Sequence, residues 1–131
     1  MGILVRIYNN MNQQPLKTIM VIEDDHDTRV SLRQSLEAEG YFVFSAANGK
    51  QGLEIIRRIK PPCLILLDLV MPIMDGEEFI KALENDASLH IIPVVLVSAF
   101  PEKAKRLIAK AFVTKPIDLK TLLKVVKDFS S

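Results

Sequence analysis

From residue 18 onward, short apolar runs rich in β-branched residues alternate with longer stretches whose apolar positions recur every three or four residues. The runs read as strands at TIMVIE (18–23), YFVFSA (41–46), CLILLD (63–68), IPVVLVS (92–98) and AFVT (111–114). LILL and VVLV lack the polar alternation of a half-solvated strand, so the middle strands are expected to be covered on both faces, as in a parallel sheet. The intervening stretches read as five helices. The first turns Val30, Leu32, Ser35, Leu36 and Ala38 inward and stops at Gly40, which suits a left-handed cap. Asn48 caps a second, carrying Leu53, Ile55, Ile56 and Ile59, which Pro61 and Pro62 end. A third follows Asp75-Gly76 with Phe79, Ile80 and Leu83 inward. Pro101 opens a fourth, and Asp118 caps a fifth with Leu119, Leu122, Leu123, Val126 and Phe129 as its buried stripe. Strands joined by helical crossovers predict an α/β fold, an open, doubly wound parallel sheet.

Ligands of such sheets bind outside the carboxyl ends of the strands, so those ends decide the chemistry. The first strand runs into Glu23-Asp24-Asp25, the third ends at Asp68, the fourth at Ser98, and the fifth runs into Lys115-Pro116. The second ends in Ala46-Ala47, as expected of an outer strand away from the chemistry. Two carboxylates side by side repel by roughly 1 to 4 kcal/mol at about 4 Å, depending on the effective dielectric, so a compensating positive charge is expected. If strands one, three, four and five are neighbours, Asp24, Asp25 and Asp68 converge beside a hydroxyl and an ammonium. Such carboxylates suit magnesium, which takes oxygen ligands together with water and phosphoryl oxygens. Asp25 and Asp68 are the expected direct ligands, Asp24 acts through water, and the Val70 carbonyl completes the set. The same parts suit a phosphoryl acceptor. Asp68 is the nucleophile, Lys115 and the metal neutralise phosphoryl oxygens, and Ser98 donates to one of them. A solvated cap of the first helix would also account for Asp24 and Asp25, where acids suit the helix dipole. His26 and His90 read as exposed turn and loop residues.

The segments EDD (23–25), LILLDLVMPIMDGEEF (64–79), VLVSA (95–99) and VTKPID (113–118) together resemble the receiver domain of two-component response regulators. The resemblance covers residues 18 to about 129. It implies a flavodoxin-like five-stranded parallel sheet in the order 2-1-3-4-5 with five helices. It further implies Asp68 as phosphoacceptor, Asp24 and Asp25 as metal acids with Mg2+ as cofactor, Ser98 as switch hydroxyl, Lys115 as phosphate-sensing lysine, and Phe112 as the aromatic that changes rotamer. A cis Lys115-Pro116 bond is implied as well. The implied partners are a sensor histidine kinase or phosphotransfer protein as phosphodonor, and a downstream protein that reads the switched surface.

Two departures from the family pattern bear on output and lifetime. Only sixteen residues separate Ser98 from Lys115, so the fourth helix is expected to be short or atypical and the output face altered. Val70 and Phe100, two residues beyond Asp68 and Ser98, are apolar where the path of a hydrolytic water would pass, which predicts a long-lived acyl phosphate.

Composition narrows the class further. At 131 residues, 49% hydrophobic and 25% charged, the chain is one domain, able to bury about two thirds of its unfolded surface. Seventeen basic against sixteen acidic residues, a net charge of +1, argue against a nucleic-acid or membrane partner; a monomer or weak dimer is expected. The lone Cys63 sits in an apolar run and fits a core position in a cytoplasmic protein. Residues 1–17 read as a mobile extension, the alternative being that Ile3 to Tyr8 docks on a sheet edge or groove, and 18–131 as the receiver domain with no attached output domain. Rival readings fit less well. A magnesium-dependent aspartyl-phosphate hydrolase of the dehalogenase type would want an acid at Val70 and a cap domain. A nucleotide binder would want a Gly-rich or hydroxyl-rich loop at 23–27. A phosphorylation-independent binding module would have no need of all five site residues.

Overall fold

In the computed structural model, which describes residues 17–107 and 109–130, a central parallel sheet is sandwiched between two groups of helices. The strands are β1 (Thr18–Ile22), β2 (Phe42–Ala46), β3 (Leu64–Asp68), β4 (Val94–Ser98) and β5 (Ala111–Thr114). The helices are α1 (His26–Ala38), α2 (Gly49–Ile56), α3 (Gly76–Glu84), α4 (Pro101–Ala104) and α5 (Leu119–Phe129). The sheet order is β2-β1-β3-β4-β5, with every pairing parallel. This is the doubly wound architecture expected from the alternating pattern. Strands are shorter than their apolar runs. Pro93 precedes β4 rather than lying in it, for it has no N–H to give the ladder, and its carbonyl accepts from Ile65 N instead. The expected extension lies outside the described residues except for Lys17, whose carbonyl accepts from Phe42 N at 2.9 Å.

Every residue of β3 and β4 is buried, which is why their runs carry no polar alternation. Successive side chains leave opposite faces of the sheet. Met20, Ile22, Ile65, Leu67 and Leu96 pack with Leu53 and Ile56 of α2, Phe79, Ile80 and Leu83 of α3 and Ala104 of α4. Ile19, Val21, Leu64, Leu66, Val95, Val97 and Val113 pack with Leu32 and Leu36 of α1 and Leu122 and Val126 of α5. The inward stripes of the outer helices are narrower than expected. Val30, Leu119 and Phe129 are exposed, because only the i, i+4 pairs Leu32–Leu36 and Leu122–Val126 face the strands squarely.

The caps follow their sequence signals. Asn48 Oδ1 accepts from Gln51 N, Asp75 and Glu78 form a reciprocal capping box, and Gly40 ends α1 with φ 94°. Asp118 occupies the N-cap position of α5, but its carboxylate accepts from the Thr121 hydroxyl rather than from an amide. The fourth helix is a single turn of four residues, as the short spacing implied.

Gly76 brings the start of α3 hard against the strand that carries Asp68. A Cβ there would lie 2.7 Å from the Asp68 carbonyl and 2.8 Å from Leu69 Cα, both backbone atoms that cannot swing away. Gly76→Ala should therefore destabilise the chain by about 1 to 3 kcal/mol. Urea unfolding with an unchanged slope checks this, and a loss within about 0.5 kcal/mol, the range of an ordinary surface change, would contradict the close approach.

Candidate functional site

The sheet order sets β1, β3 and β4 side by side, and the loops leaving their carboxyl ends bring together groups far apart in sequence. Glu23 follows β1 and is 2% exposed, Asp68 closes β3 at 5%, and Ser98 closes β4 at 2%. One carboxylate oxygen from each of Glu23, Asp24 and Asp68 lies within 4.8 Å of the others. Lys115, just beyond β5, extends Nζ to 2.8 Å from Glu23 Oε1 and 3.5 Å from Asp68 Oδ2. It is the compensating positive charge that the crowded acids demanded. Glu23 Oε2 accepts from Asp25 N at 3.2 Å, and Asp68 Oδ1 accepts from Val70 N at 3.3 Å.

The structure thus brings together Asp24, Asp68 and Lys115, with Val70 against Asp68, but not Asp25. The Asp25 carboxylate turns to the helix, where Oδ2 accepts from Thr28 N at 2.9 Å and from Thr28 Oγ1 at 2.6 Å, capping α1. Glu23 takes its place in the cluster. The expectation that Asp25 is a direct metal ligand is corrected accordingly, and the cap weighed for both acids holds for Asp25 alone. Reading the first strand through Glu23 hid this residue as a strand terminus. The signal that finds it is the cap: an Asp three residues before Thr28, at the start of a helix, belongs to the helix.

Ser98 Oγ accepts from Phe100 N at 2.9 Å, and the Ser98 carbonyl accepts from Lys115 N at 2.8 Å. The Lys115-Pro116 bond is cis. Phe112 lies on β5 opposite Leu96, 40% exposed. It borders a hollow of about 430 Å³ lined also by Ala104, Lys105, Leu107 and Ala109, left beside the single turn of α4. Val70 and Phe100 are 49% and 55% exposed. In the same loop Ile73 holds φ 71°, a left-handed conformation that strains a β-branched residue by about 1 to 2 kcal/mol.

Charge crowding shows in the acid strengths. Burial, hydrogen bonding with the Glu23 and Asp24 carboxyls and the charge of Glu23 push Asp68 up to about 8, against the pull of Lys115. Burial also pushes Asp24 upward, but hydrogen bonding with Asp68 and Glu23 outweighs it and holds Asp24 below the usual range. Burial would lower Lys115, yet its bond to Glu23 and the charge of Asp68 raise it. Burial and its acidic neighbours thus make Asp68 the carboxyl of the cluster least ready to ionise. Three hard oxygen donors and an acid that cannot readily ionise without help fit a small divalent cation such as Mg2+. Among the described residues, Glu23, Asp24 and Asp68 offer carboxylate oxygens close enough together to hold it.

Comparison with known proteins agrees with this geometry. The chain matches the family model of the response regulator receiver domain over residues 19–127. It is 34% identical over 113 residues to Protein PilH of Pseudomonas aeruginosa, spanning 82% of this chain and 93% of that protein. It is 31% identical over 118 residues to the polar-differentiation response regulator DivK of Brucella anthropi, spanning 86% and 95%. The chemotaxis response regulator CheY4 of Vibrio cholerae superposes with a TM-score of 0.79 at 25% identity, covering 87% of this chain and 98% of that one. Five parallel strands ending in a carboxylate cluster answered by a lysine, and a matched segment running almost the whole length of the sheet, have one reading: this chain belongs to the response regulator receiver domain family.

Proposed function

We propose that the chain takes a phosphoryl group from a phosphohistidine onto Asp68 and uses the resulting acyl phosphate to switch a protein-binding surface. The observation that carries this reading is the placement of Lys115 Nζ 3.5 Å from Asp68 Oδ2, within an acid cluster that holds one proton too many. A bound Mg2+ would displace that proton and draw charge from the phosphoryl oxygens. Glu23, Asp24, Asp68 and the Val70 carbonyl would hold it, in place of the set containing Asp25.

The ionised Asp68 carboxylate attacks phosphorus. The new O–P bond forms as the P–N bond breaks, and the imidazole leaves with the electron pair and picks up a proton from solvent. Lys115 shifts from Glu23 toward the phosphoryl oxygens, a short move for a flexible point charge already 3.5 Å from the nucleophile. Ser98 has its oxygen engaged as an acceptor while its hydroxyl donates to no group among the described residues, so it can turn to the arriving group. Its withdrawal opens room for Phe112, and the hollow beside α4 gives the ring somewhere to go. Output is then a population shift between two forms of the α4–β5 surface. The phosphodonor is a sensor kinase or phosphotransfer protein, the reader a second protein, and the setting the cytoplasm. No helix among the described residues is long and apolar enough to cross a membrane.

Three outcomes test the proposal. Acetyl phosphate with Mg2+ should label the wild-type chain and leave Asp68→Asn unlabelled by at least about 100-fold, read by intact-protein mass; equal labelling of both would sink the assignment of the nucleophile. A second outcome concerns pH in metal-free protein. The folded chain holds the Asp68 proton more tightly than the unfolded chain, whose carboxyl has its ordinary value of 3.8. The stability contributed is full below that value and is lost as pH rises through about 8, so melting in EDTA should fall over this window. Asp68→Asn should flatten the slope and Mg2+ should release close to one proton on binding at about pH 7. Thirdly, the apolar Val70 and Phe100 should slow hydrolysis of the acyl phosphate. Replacing Val70 with Glu or Asn and following loss of label should shorten its life about 100-fold, the lower end of what general acid–base assistance to a water contributes; a wild-type label that decays within seconds would refute the idea.

A further inference from the structure

The cluster depends on where two consecutive residues point, and the turn that aims them is held by a side chain that forms no ion pair among the described residues. Arg29, in the first turn of α1, reaches back along the chain so that Nη1 donates to the Glu23 carbonyl at 2.8 Å and to the Asp24 carbonyl at 3.3 Å. Its Nη2 lies 3.2 Å from His26 Nδ1. These two carbonyls belong to the residues whose carboxylates meet Asp68. Because peptide planes are rigid, fixing both carbonyls fixes the Cα–Cβ directions between and beside them.

We propose that Arg29 is a positioning residue for the acid cluster: its planar guanidinium clamps the turn after β1 so that Glu23 and Asp24 face Asp68 ready for a divalent cation. This rests on the reading of the site as a cation-assisted phosphoacceptor and adds the group that preorganises it. The hydrogen bond of Arg29 with His26 fixes the guanidinium plane, and the main-chain bond from Arg29 N to Asp25 O at 2.9 Å roots the residue in the helix that the turn must enter. Lysine cannot substitute, since a single ammonium lacks the planar set of donors that engages both the carbonyls and the imidazole.

The sign of the effect separates clamping from charge. A nearby positive charge repels a dication, so if Arg29 acted only through its charge, removing it would tighten Mg2+ binding. If it acts through the geometry of the turn, removing it weakens binding. Calorimetric titration of Mg2+ into the full chain is the measurement, with Arg29→Gln, Arg29→Lys and, as control, Arg33→Gln, whose partner is Glu37 on the outer face of α1. Arg29→Gln and Arg29→Lys should each weaken Mg2+ affinity about tenfold, the scale of losing an outer partner of a metal ligand, with Arg33→Gln unchanged. In acetyl phosphate labelling, the Mg2+ concentration for half-maximal rate should rise by the same factor while the rate at saturating Mg2+ recovers, a split that mere loss of fold would not produce. Melting in EDTA reports folding, and Arg29→Lys, keeping the charge and the aliphatic stem, decides the matter if Arg29→Gln does not fold. Unchanged or tighter binding in Arg29→Gln, or wild-type affinity in Arg29→Lys, overturns the proposal. Labelling that ignores Asp68→Asn would overturn the functional reading alone, and a wild type that binds no Mg2+ would overturn both.

Discussion

The ion pair between Lys115 and Glu23, 2.8 Å long and spanning 92 positions of sequence, is the constraint on which the site depends. It ties the loop beyond the edge strand β5 to the end of β1, across the intervening β3 and β4. Buried charges of this kind are weak contributors to net stability, because desolvation offsets most of the attraction. Their use here is to set where charge sits. Burial and the neighbouring Glu23 and Asp24 push Asp68 upward, and Lys115, engaged by Glu23, pulls against them only in part. The acid cluster is a frustrated arrangement, stable when protonated and receptive to a cation when not, and the core beneath it makes it tolerable.

That core is two apolar layers separated by a fully buried pair of strands. Parallel strands bring all their carboxyl ends to one side, so acids, hydroxyl and lysine share one edge of the sheet whatever their separation along the chain. Gly76 permits α3 to close over the same edge, and Asp75 and Glu78 cap it, so the loop carrying Val70 is pinned at both ends. Against this rigidity stands the single turn of α4, which leaves Phe112 half open to solvent beside a hollow. The element most reduced is the one nearest the surface proposed to switch.

Much of this was legible before any coordinates. The strands and the cover on both faces of the middle ones followed from runs such as LILL and VVLV, and Asp68 and Ser98 stood out as polar residues closing apolar strands, with Lys115 just beyond another. The shortness of α4 followed from counting residues between Ser98 and Lys115. The assignment of Asp25 did not survive, for a physical reason. Three acids in a row are chemically equivalent on paper, and a shift of one residue turns a side chain from the sheet edge to the helix N-terminus. Thr28 captured Asp25, and Glu23 went inward to Lys115. Val30, Leu119 and Phe129 were misjudged for a related reason, since hydrophobicity marks the residues able to be buried while only the helix's docking angle selects those that are.

Period and composition by themselves determined the order of elements, the class of fold and the edge where chemistry belongs, because those depend on local propensity and on which residues avoid water. The tertiary structure alone decided which carboxylates crowd together, which one caps a helix, and that one guanidinium reaches back to the turn before it. Those choices rest on distances of a few ångströms between groups remote in sequence, and Coulomb and hydrogen-bond energies change over such distances faster than any pattern of residue types can record.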